Sequence, residues 1–396
     1  MPKSPRPSAI PPDRAGKNSL VHRLFILTAW FSELEPVKLL PLWGLCIAGA
    51  GYPWGQHWVV GSGAAAATLI LDWLTLRLLP AKQLSWGPVT PPLLALTVLR
   101  VGLSWLLAWL MPGTSGVLLL LILQSGLSAI SLYATWIEPF HVHTTQQHLA
   151  FSAHPTGTPL RLLHISDIHY EGMSPRESAL LAHVEALKPD LIVLTGDYLN
   201  LSSVHDPEAQ AGVRALLSQL HAPGGVYAIT GSPAVDVTDV VPHIFEGLPI
   251  RWLNDEITPV SWHGLDFWLM GVRCTLHPER DSAMLKQLKA SIPSAAPILL
   301  LYHTPDLMPD AAHLDIDLYL AGHTHGGQLR LPLYGAIFTS SRWGKRYEMG
   351  RYQERDTTLY VSRGLGLEGL GAPRARFLAP PEIILWELQG DGSKEA

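Results

Sequence analysis

The sequence predicts a chain of two unlike halves, an α-helical transmembrane region of about four spans followed by an α/β domain. Three observations predict it. Hydrophobic residues make up 47% of the 396 residues and charged residues only 15%, a low charge content for a soluble protein of this size. The long apolar runs are confined to residues 37–137. Beyond residue 158 the pattern changes to short apolar strands alternating with helical stretches, which is α/β organisation.

The first element, residues 1–36, is a basic, Pro-rich tail whose composition predicts disorder, ending in a short stretch, Leu20–Phe31, that reads as a helix at a membrane surface. Four apolar runs come next, Val37–Trp54, Trp58–Leu79, Pro92–Met111 and Ser115–Ile137. A spanning helix needs roughly 20 apolar residues. The last three runs meet that length, whereas the first is short and carries Lys38 and Pro41. Trp54, Trp58, Tyr133 and Trp136 sit near the ends, where interfacial anchors belong. Apolar sequence continuing for so long reads as spans rather than as a cleaved signal peptide.

Basic residues set the expected orientation. Lys3, Arg6, Arg14, Lys17, Arg23 and Lys38 precede or open the first run, and Arg77 and Lys82 flank the loop between the second and third. The other two loops, Gly55–His57 and Pro112–Thr114, contain no Lys or Arg. With four spans, every basic flank falls on the cytoplasmic side, and the C-terminal domain with it. Asp72 and Arg100 lie inside two runs that meet the same loop. At about 1.5 Å per residue both sit roughly 11–12 Å deep, so an antiparallel hairpin brings them level as an ion pair that fixes packing. A net charge of −5 gives no sign of a nucleic-acid partner. Two distant cysteines, Cys46 and Cys274, form no disulfide framework.

Residues 138–158 read as a polar linker, and the His-rich stretch His141–His154 within it as linker rather than metal site. The α/β domain then runs over residues 159–390, with a tail at 391–396. The residues just beyond the strand ends carry the function. Leu160–Ile165 runs into Asp167 and His169, Leu191–Leu194 into Gly196-Asp197-Tyr198-Leu199-Asn200, Ile298–Leu301 into His303, and Asp317–Leu320 into Gly322-His323-Thr324-His325. Ligands bind at the carboxyl ends of strands in open α/β sheets, so these ends focus two carboxylates and four imidazoles on one place. Residues i and i+2 project the same way, so Asp167/His169 and His323/His325 each present two side chains to one centre. The donor set suits two divalent metal ions, Mn, Fe or Zn. Such a pair roughly 4 Å apart polarises a phosphoryl oxygen and activates a water for attack.

With Asp167-x-His169, Gly196-Asp197-x-x-Asn200, His303 and Gly322-His323-x-His325 in this order, the sequence resembles the calcineurin-like metallophosphoesterase family over about residues 158–390. The flanking text GHTHGGQLRLP and LYVSRGLG is similar to the branch of bacterial membrane-associated phosphoesterases and UDP-diacylglucosamine hydrolases. The resemblance implies two facing mixed sheets flanked by helices. It implies that Asp167, His169 and His325 hold the first metal, that His303 and His323 hold the second, and that Asp197 bridges both. It makes Asp197, His303 and His323 the catalytic core.

One motif departs from the family. A Gly-Asn-His sequence is expected after the third strand, the Asn binding the second metal and the His meeting the substrate or leaving group. Here Val226–Ile229 runs into Thr230-Gly231-Ser232-Pro233, so Ser232 stands at the Asn position and Pro233, with no side-chain donor, at the His position. Asp236 is a candidate to fold back as a substitute ligand beside Ser232. Asn200, Arg342, Lys345 and Arg346 are candidate substrate contacts, because Arg forks onto phosphate oxygens. The mixed apolar and basic stretches Gly335–Trp343 and Gly364–Phe377 read either as a surface that dips into a membrane interface or as ordinary core.

Two readings of function stand side by side. In the first, the chain is a membrane-bound phosphoesterase acting on a phosphate mono- or diester, with membrane attachment directing the search toward lipid-linked substrates. In the second, the altered motif marks a catalytically impaired descendant that serves as a membrane-associated binding or regulatory module.

Overall fold

The structure, a computed structural model, describes residues 34–152, 158–294, 296–369 and 371–390. The expected surface helix Leu20–Phe31 lies outside the described residues. The chain divides into two compact units, one built on the apolar helices together with residues 368–375, the other on the rest of the C-terminal half.

In the apolar unit, α1 (Leu40–Gly51), α2 (Trp58–Ala81), α3 (Thr90–Leu110) and α4 (Thr114–Leu132) follow one another. Three segments are long and apolar enough to cross a membrane by length and composition, Pro36–Ala81, Thr90–Leu110 and Thr114–Phe140. The first is no single rod. It breaks at Gly55, whose φ of 54° and ψ of −116° interrupt the helix between α1 and α2. Trp43 of α1 packs with Leu76 and Leu79 of α2, while Gly51 lies against Ser62, so α1 folds back along α2. The four expected runs thus appear as three long segments, the marginal first run being short in regular helix and fused to the second through the Gly55 turn.

The expected ion pair forms inside this unit and is larger than a pair. Arg100 donates from Nε to Asp72 Oδ2 at 2.9 Å and from Nη2 to Asp72 Oδ1 at 3.0 Å. Its remaining donors reach Gln124 Oε1 at 2.7 Å, the Gln124 carbonyl at 3.0 Å and Ser128 Oγ at 2.9 Å. Asp72, Arg100 and Gln124 are buried. A planar guanidinium can satisfy five donors in one plane, and in apolar surroundings each unmet donor is costly.

Among the described residues, the other unit contains fourteen strands. They are β1 (His143–Ser152), β2 (Leu160–Ile165), β3 (Leu191–Leu194), β4 (Val226–Ala228), β5 (Ile250–Trp252), β6 (Glu256–Trp262), β7 (Leu265–Gly271), β8 (Ile298–Leu301), β9 (Leu318–Ala321), β10 (Arg330–Leu331), β11 (Gly335–Ala336), β12 (Gly350–Glu354), β13 (Thr357–Val361) and β14 (Glu382–Gly390). Two six-stranded mixed sheets result, ordered β1-β14-β2-β3-β4-β5 and β12-β13-β9-β8-β7-β6, with β10 and β11 forming a separate hairpin. The linker expectation is corrected here. Residues 143–152 form β1, paired in parallel with β14 from His143↔Glu382 onward. Its Thr, Gln and His content disguised an edge strand as a polar connection.

Side-chain alternation explains the layering. Strands β3, β8 and β9 are buried along their whole length, and β2 is buried except at half-buried Arg161. Leu160, Leu162, Leu191 and Val193 meet Leu299, Leu301, Leu318 and Leu320 in a core between the sheets. The alternate residues Leu163, Ile165, Ile192 and Leu194 pack outward. Covering that outer face are helices α5 (Pro175–Leu187), α6 (Pro207–Leu217) and α7 (Val241–Phe245). On the second sheet, Ile298, Leu300, Tyr319 and Ala321 pack outward against α8 (Pro278–Lys289) and α9 (Met308–His313). A strand with period two and apolar residues on both faces is the signature of a sheet buried on both sides.

Candidate metal centre

The carboxyl ends of β2, β3, β8 and β9 converge, and the six predicted side chains meet there in two groups. Asp167, His169 and His325 offer ligand atoms within 4.8 Å of one another, as do Asp197, His303 and His323. In the first group His169 Nε2 is 3.1 Å from His325 Nε2, and His325 Nε2 is 3.7 Å from Asp167 Oδ1. In the second, His303 Nε2 is 3.3 Å from Asp197 Oδ2 and 3.2 Å from His323 Nδ1. The two groups are joined by one atom. Asp197 Oδ2, already beside His303, is also 3.6 Å from His169 Nε2.

These separations fit metal ions. Donors about 2.0–2.2 Å from one ion at tetrahedral angles lie roughly 3.3–3.6 Å apart. One carboxylate oxygen, Asp197 Oδ2, lies close to both groups. The His303 Nδ1–H donates to the Thr195 carbonyl at 2.8 Å, which leaves Nε2, turned toward Asp197 and His323, as the nitrogen that an ion would take in place of its proton. Orienting the far nitrogen in this way is how ligating histidines are held. Burial, aided by neighbouring charge, pushes His323 down to about 3 and His325 well below the usual histidine range, so both are neutral imidazoles, the form that ligates. Burial opposes charge on His303 too, but Asp197 and Asp167 outweigh it and raise it to about 10. Asp197 is correspondingly held well below the usual carboxylate range, burial notwithstanding, by His303 and His169. Such a pocket demands positive charge.

The backbone is bent to make this convergence. Five of the six side chains stand on left-handed residues, Asp167, His169, Asp197, His323 and His325, with φ between 43° and 70°. Non-glycine residues adopt that region rarely, and a cluster of them marks a functional site. Two glycines let the ligand turns touch. A Cβ on Gly322 would overlap Ser166 and Asp167, and one on Gly231 would overlap Asp197.

The altered corner is resolved in detail. Ser232 Oγ lies 3.2 Å from Asp197 Oδ2, 3.1 Å from His303 Nε2 and 3.3 Å from His323 Nδ1, so its hydroxyl occupies the second group. Pro233 is exposed. Asp236 does not join either group. Its carboxylate accepts from the backbone N–H groups of Asp197, Tyr198 and Gly231 at 2.8, 3.0 and 2.6 Å. It clamps the β3 and β4 turns together. Burial and the nearby Asp197 charge raise it to about 7, against the pull of those three donors.

Three of the four candidate substrate contacts are engaged by other residues. Asn200 is buried, donating from Nδ2 to the Leu367 carbonyl at 2.8 Å and accepting from Ser202, so it braces a loop. Lys345 pairs with Glu348 at 2.7 Å and Arg346 pairs with Glu354. Arg342 is exposed, its guanidinium stacked 5.2 Å from the Trp343 ring. A residue that local spacing does not select matters more. Arg376 is fully buried, donates to the carbonyls of Arg363, Gly364, Gly366 and Ala379, and lies 3.4 Å from His325 Nδ1. It pins the glycine loop after β13 beneath the first group, and only that loop's run of glycines (Gly364, Gly366) hinted at such a close approach.

Comparison with known proteins gives a consistent result. Residues 160–327 match the family model described as calcineurin-like phosphoesterase. The chain is 32% identical over 271 residues to the metallophosphoesterase YkuE of Bacillus subtilis, covering 65% of this chain and 89% of that protein. It is 28% identical to phosphodiesterase YaeI of Escherichia coli, over 65% of this chain and 92% of that one. It is 25% identical to the UDP-2,3-diacylglucosamine pyrophosphatase LpxG of Chlamydia trachomatis, over 57% of this chain and 82% of that one.

Proposed function

This chain belongs to the calcineurin-like phosphoesterase family, and from that premise we propose that it hydrolyses a phosphate mono- or diester at a dinuclear metal site while attached to a membrane. The observation that carries the reading is the position of Asp197 Oδ2, 3.3 Å from His303 Nε2 and 3.6 Å from His169 Nε2, between two groups of ligand geometry. Asp167, His169 and His325 would hold one ion and His303 and His323 the other, with Asp197 available to both. Two divalent ions there would supply charge for a phosphoryl oxygen and a nucleophile from water at neutral pH. Ser232 would offer its hydroxyl to the second ion, where an amide oxygen is the stronger donor. With Pro233 offering no proton, the protein residues do less for the leaving group, and a missing general acid costs about 10²–10⁴-fold. Esters with good leaving groups are therefore the favoured substrates.

Attachment rests on the three long apolar segments, and likeness to a pyrophosphatase of a diacylated sugar nucleotide supports a lipid-linked substrate. We read α1 with its flanking turns, Pro36–His57, as the first of four spans, since the Gly55 turn reverses the chain. Both ends then face the cytoplasm, and a reporter enzyme fused at the C-terminus that works only in the cytoplasm is expected to be active. A silent cytoplasmic reporter and an active periplasmic one would replace four spans by an odd number.

The deciding experiment is manganese-dependent hydrolysis of bis-p-nitrophenyl phosphate by the detergent-solubilised full chain, beside Asp197→Ala. Turnover that disappears in the variant supports the enzyme. Metal-loaded, folded protein with no turnover above the variant makes it a binding module instead.

A further inference from the structure

Large apolar side chains exposed on the phosphoesterase unit are not scattered. Among its described residues they are Met173, Leu331, Leu333, Tyr334, Ile337, Phe338 and Leu378. All but Met173 belong to the β10–β11 hairpin, the two residues after it, or Leu378 beside it. The hairpin pairs Leu331 with Gly335 across the three-residue turn Pro332-Leu333-Tyr334. A cleft of about 360 Å³ lies between Leu331, Leu333, Tyr334 and Leu378, with Arg330 and Glu348 at its side.

Two features set this surface apart from ordinary exposed leucines. Leu333 and Leu378 both hold left-handed backbone, φ 65° and 58°, and Leu333 is fully exposed. A three-residue hairpin turn ordinarily places glycine at its left-handed position. A leucine there gains nothing from packing within the unit. The hairpin is also rooted in the metal centre. Arg330 donates to the Gly326 carbonyl at 2.7 Å, one residue from the ligand His325, and Gly327 packs directly on Ala336.

Basic residues rim the tip. Arg330 and Lys345 flank the hairpin and share Glu348, and Lys345 Nζ lies 4.1 Å over the Tyr334 ring. Leu378 is three residues along the chain from Ala375, the last residue of the segment that groups with the apolar helices. A large apolar tip with Lys and Arg beside it fits the boundary between acyl chains and anionic headgroups.

We propose that the β10–β11 hairpin, with Leu333 at its tip, inserts into the headgroup and acyl boundary of an anionic bilayer and holds the metal centre against the membrane surface. The proposal rests on the membrane attachment given above, and its occupant is the lipid itself rather than a second protein. The hairpin then presents the phosphate of a membrane-embedded ester to the group that includes His325, five residues before Arg330.

The full chain is reconstituted into phosphatidylglycerol-containing liposomes, and co-flotation first tests attachment. Leu333→Cys and, as a control on an exposed helix, Glu279→Cys are each labelled with an environment-sensitive dye. Background from Cys46 and Cys274 is subtracted using labelled wild type. With a nitroxide lipid about 5–10 Å below the headgroups, the Leu333→Cys dye is expected to shift to the blue and be quenched at least about twofold more than the Glu279→Cys dye. Equal, water-like emission from both positions overturns the proposal even if the liposomes float. A blue shift that ignores the nitroxide and grows with the protein-to-lipid ratio overturns it in favour of contact between copies. Neither readout depends on turnover, so failure here is separate from failure of the enzyme reading.

Discussion

Both units bury charged and polar side chains, and they do so to opposite ends. Around Arg100 in the apolar unit, one guanidinium meets Asp72, Gln124 and Ser128, and its donors find acceptors at 2.7–3.0 Å. At the strand ends of the other unit, two carboxylates and four imidazoles crowd together with their lone pairs turned on one another. The first arrangement is self-satisfied and needs nothing more. The second satisfies itself only with added positive charge. Burial and polarity are common to both, so neither marks a functional site. What distinguishes the metal centre is convergence of acceptors on bent backbone, and the comparison separates a packing device from a reaction centre.

The strongest test of that contrast is Asp197→Ala, which removes the atom shared by both ligand groups. Several kcal/mol of transition-state stabilisation go with it, so turnover is expected to fall by ~10³-fold or more. Metal analysis of the purified protein should show less than the wild-type content, while thermal unfolding stays cooperative. Unchanged metal content would place the ions elsewhere.

The apolar unit should respond in the other currency. Asp72→Leu leaves Arg100 buried without its carboxylate, and breaking a buried pair costs about 3–5 kcal/mol. The double variant Asp72→Leu/Arg100→Leu is expected to regain most of that loss, measured as thermal stability in detergent, while turnover per folded molecule stays at the wild-type level in both. A double variant no more stable than the single, or one that is stable and inactive, would give Arg100 a role beyond packing.

The finest probe is Ser232→Ala. Loss of a weak ligand or of its hydrogen bonds at such sites changes metal affinity or activity by about 10–100-fold, and the effect should fall on the second ion alone. Metal titration that shows one affinity weakened and one intact supports this assignment. Ser232→Asn is expected to tighten the same step.

Much of the clustering was legible in the sequence because the six candidate ligands come directly after strands, and strand ends gather by topology. Asp167, His169, Asp197, His303, His323 and His325 needed no knowledge of tertiary contacts. The parts that were not legible depend on partners far along the chain. β1 looked like a linker because Thr, Gln and His carry no apolar alternation, and its partner Glu382 lies 239 residues from His143 in sequence order. Asp236 had the right chemistry for a ligand, yet three backbone N–H groups, two from the turn after β3 and one from its own turn after β4, claim it. Asn200 and Arg346 bear phosphate-binding groups, but Leu367 and Glu354 take them. Arg376 carries a common surface charge and lies buried under His325.

The five left-handed ligand residues have one more consequence, for anyone who would change the metal. Asp and His, with Asn, are among the few non-glycine side chains enriched in that backbone region. Replacing them by cysteine or glutamate would alter the donor and also ask the chain to hold an unfavourable turn for a residue ill suited to it. The backbone therefore acts as a filter on the ligand alphabet. Substitution toward a thiolate set, the kind that favours soft ions, is opposed by conformation before coordination chemistry is reached.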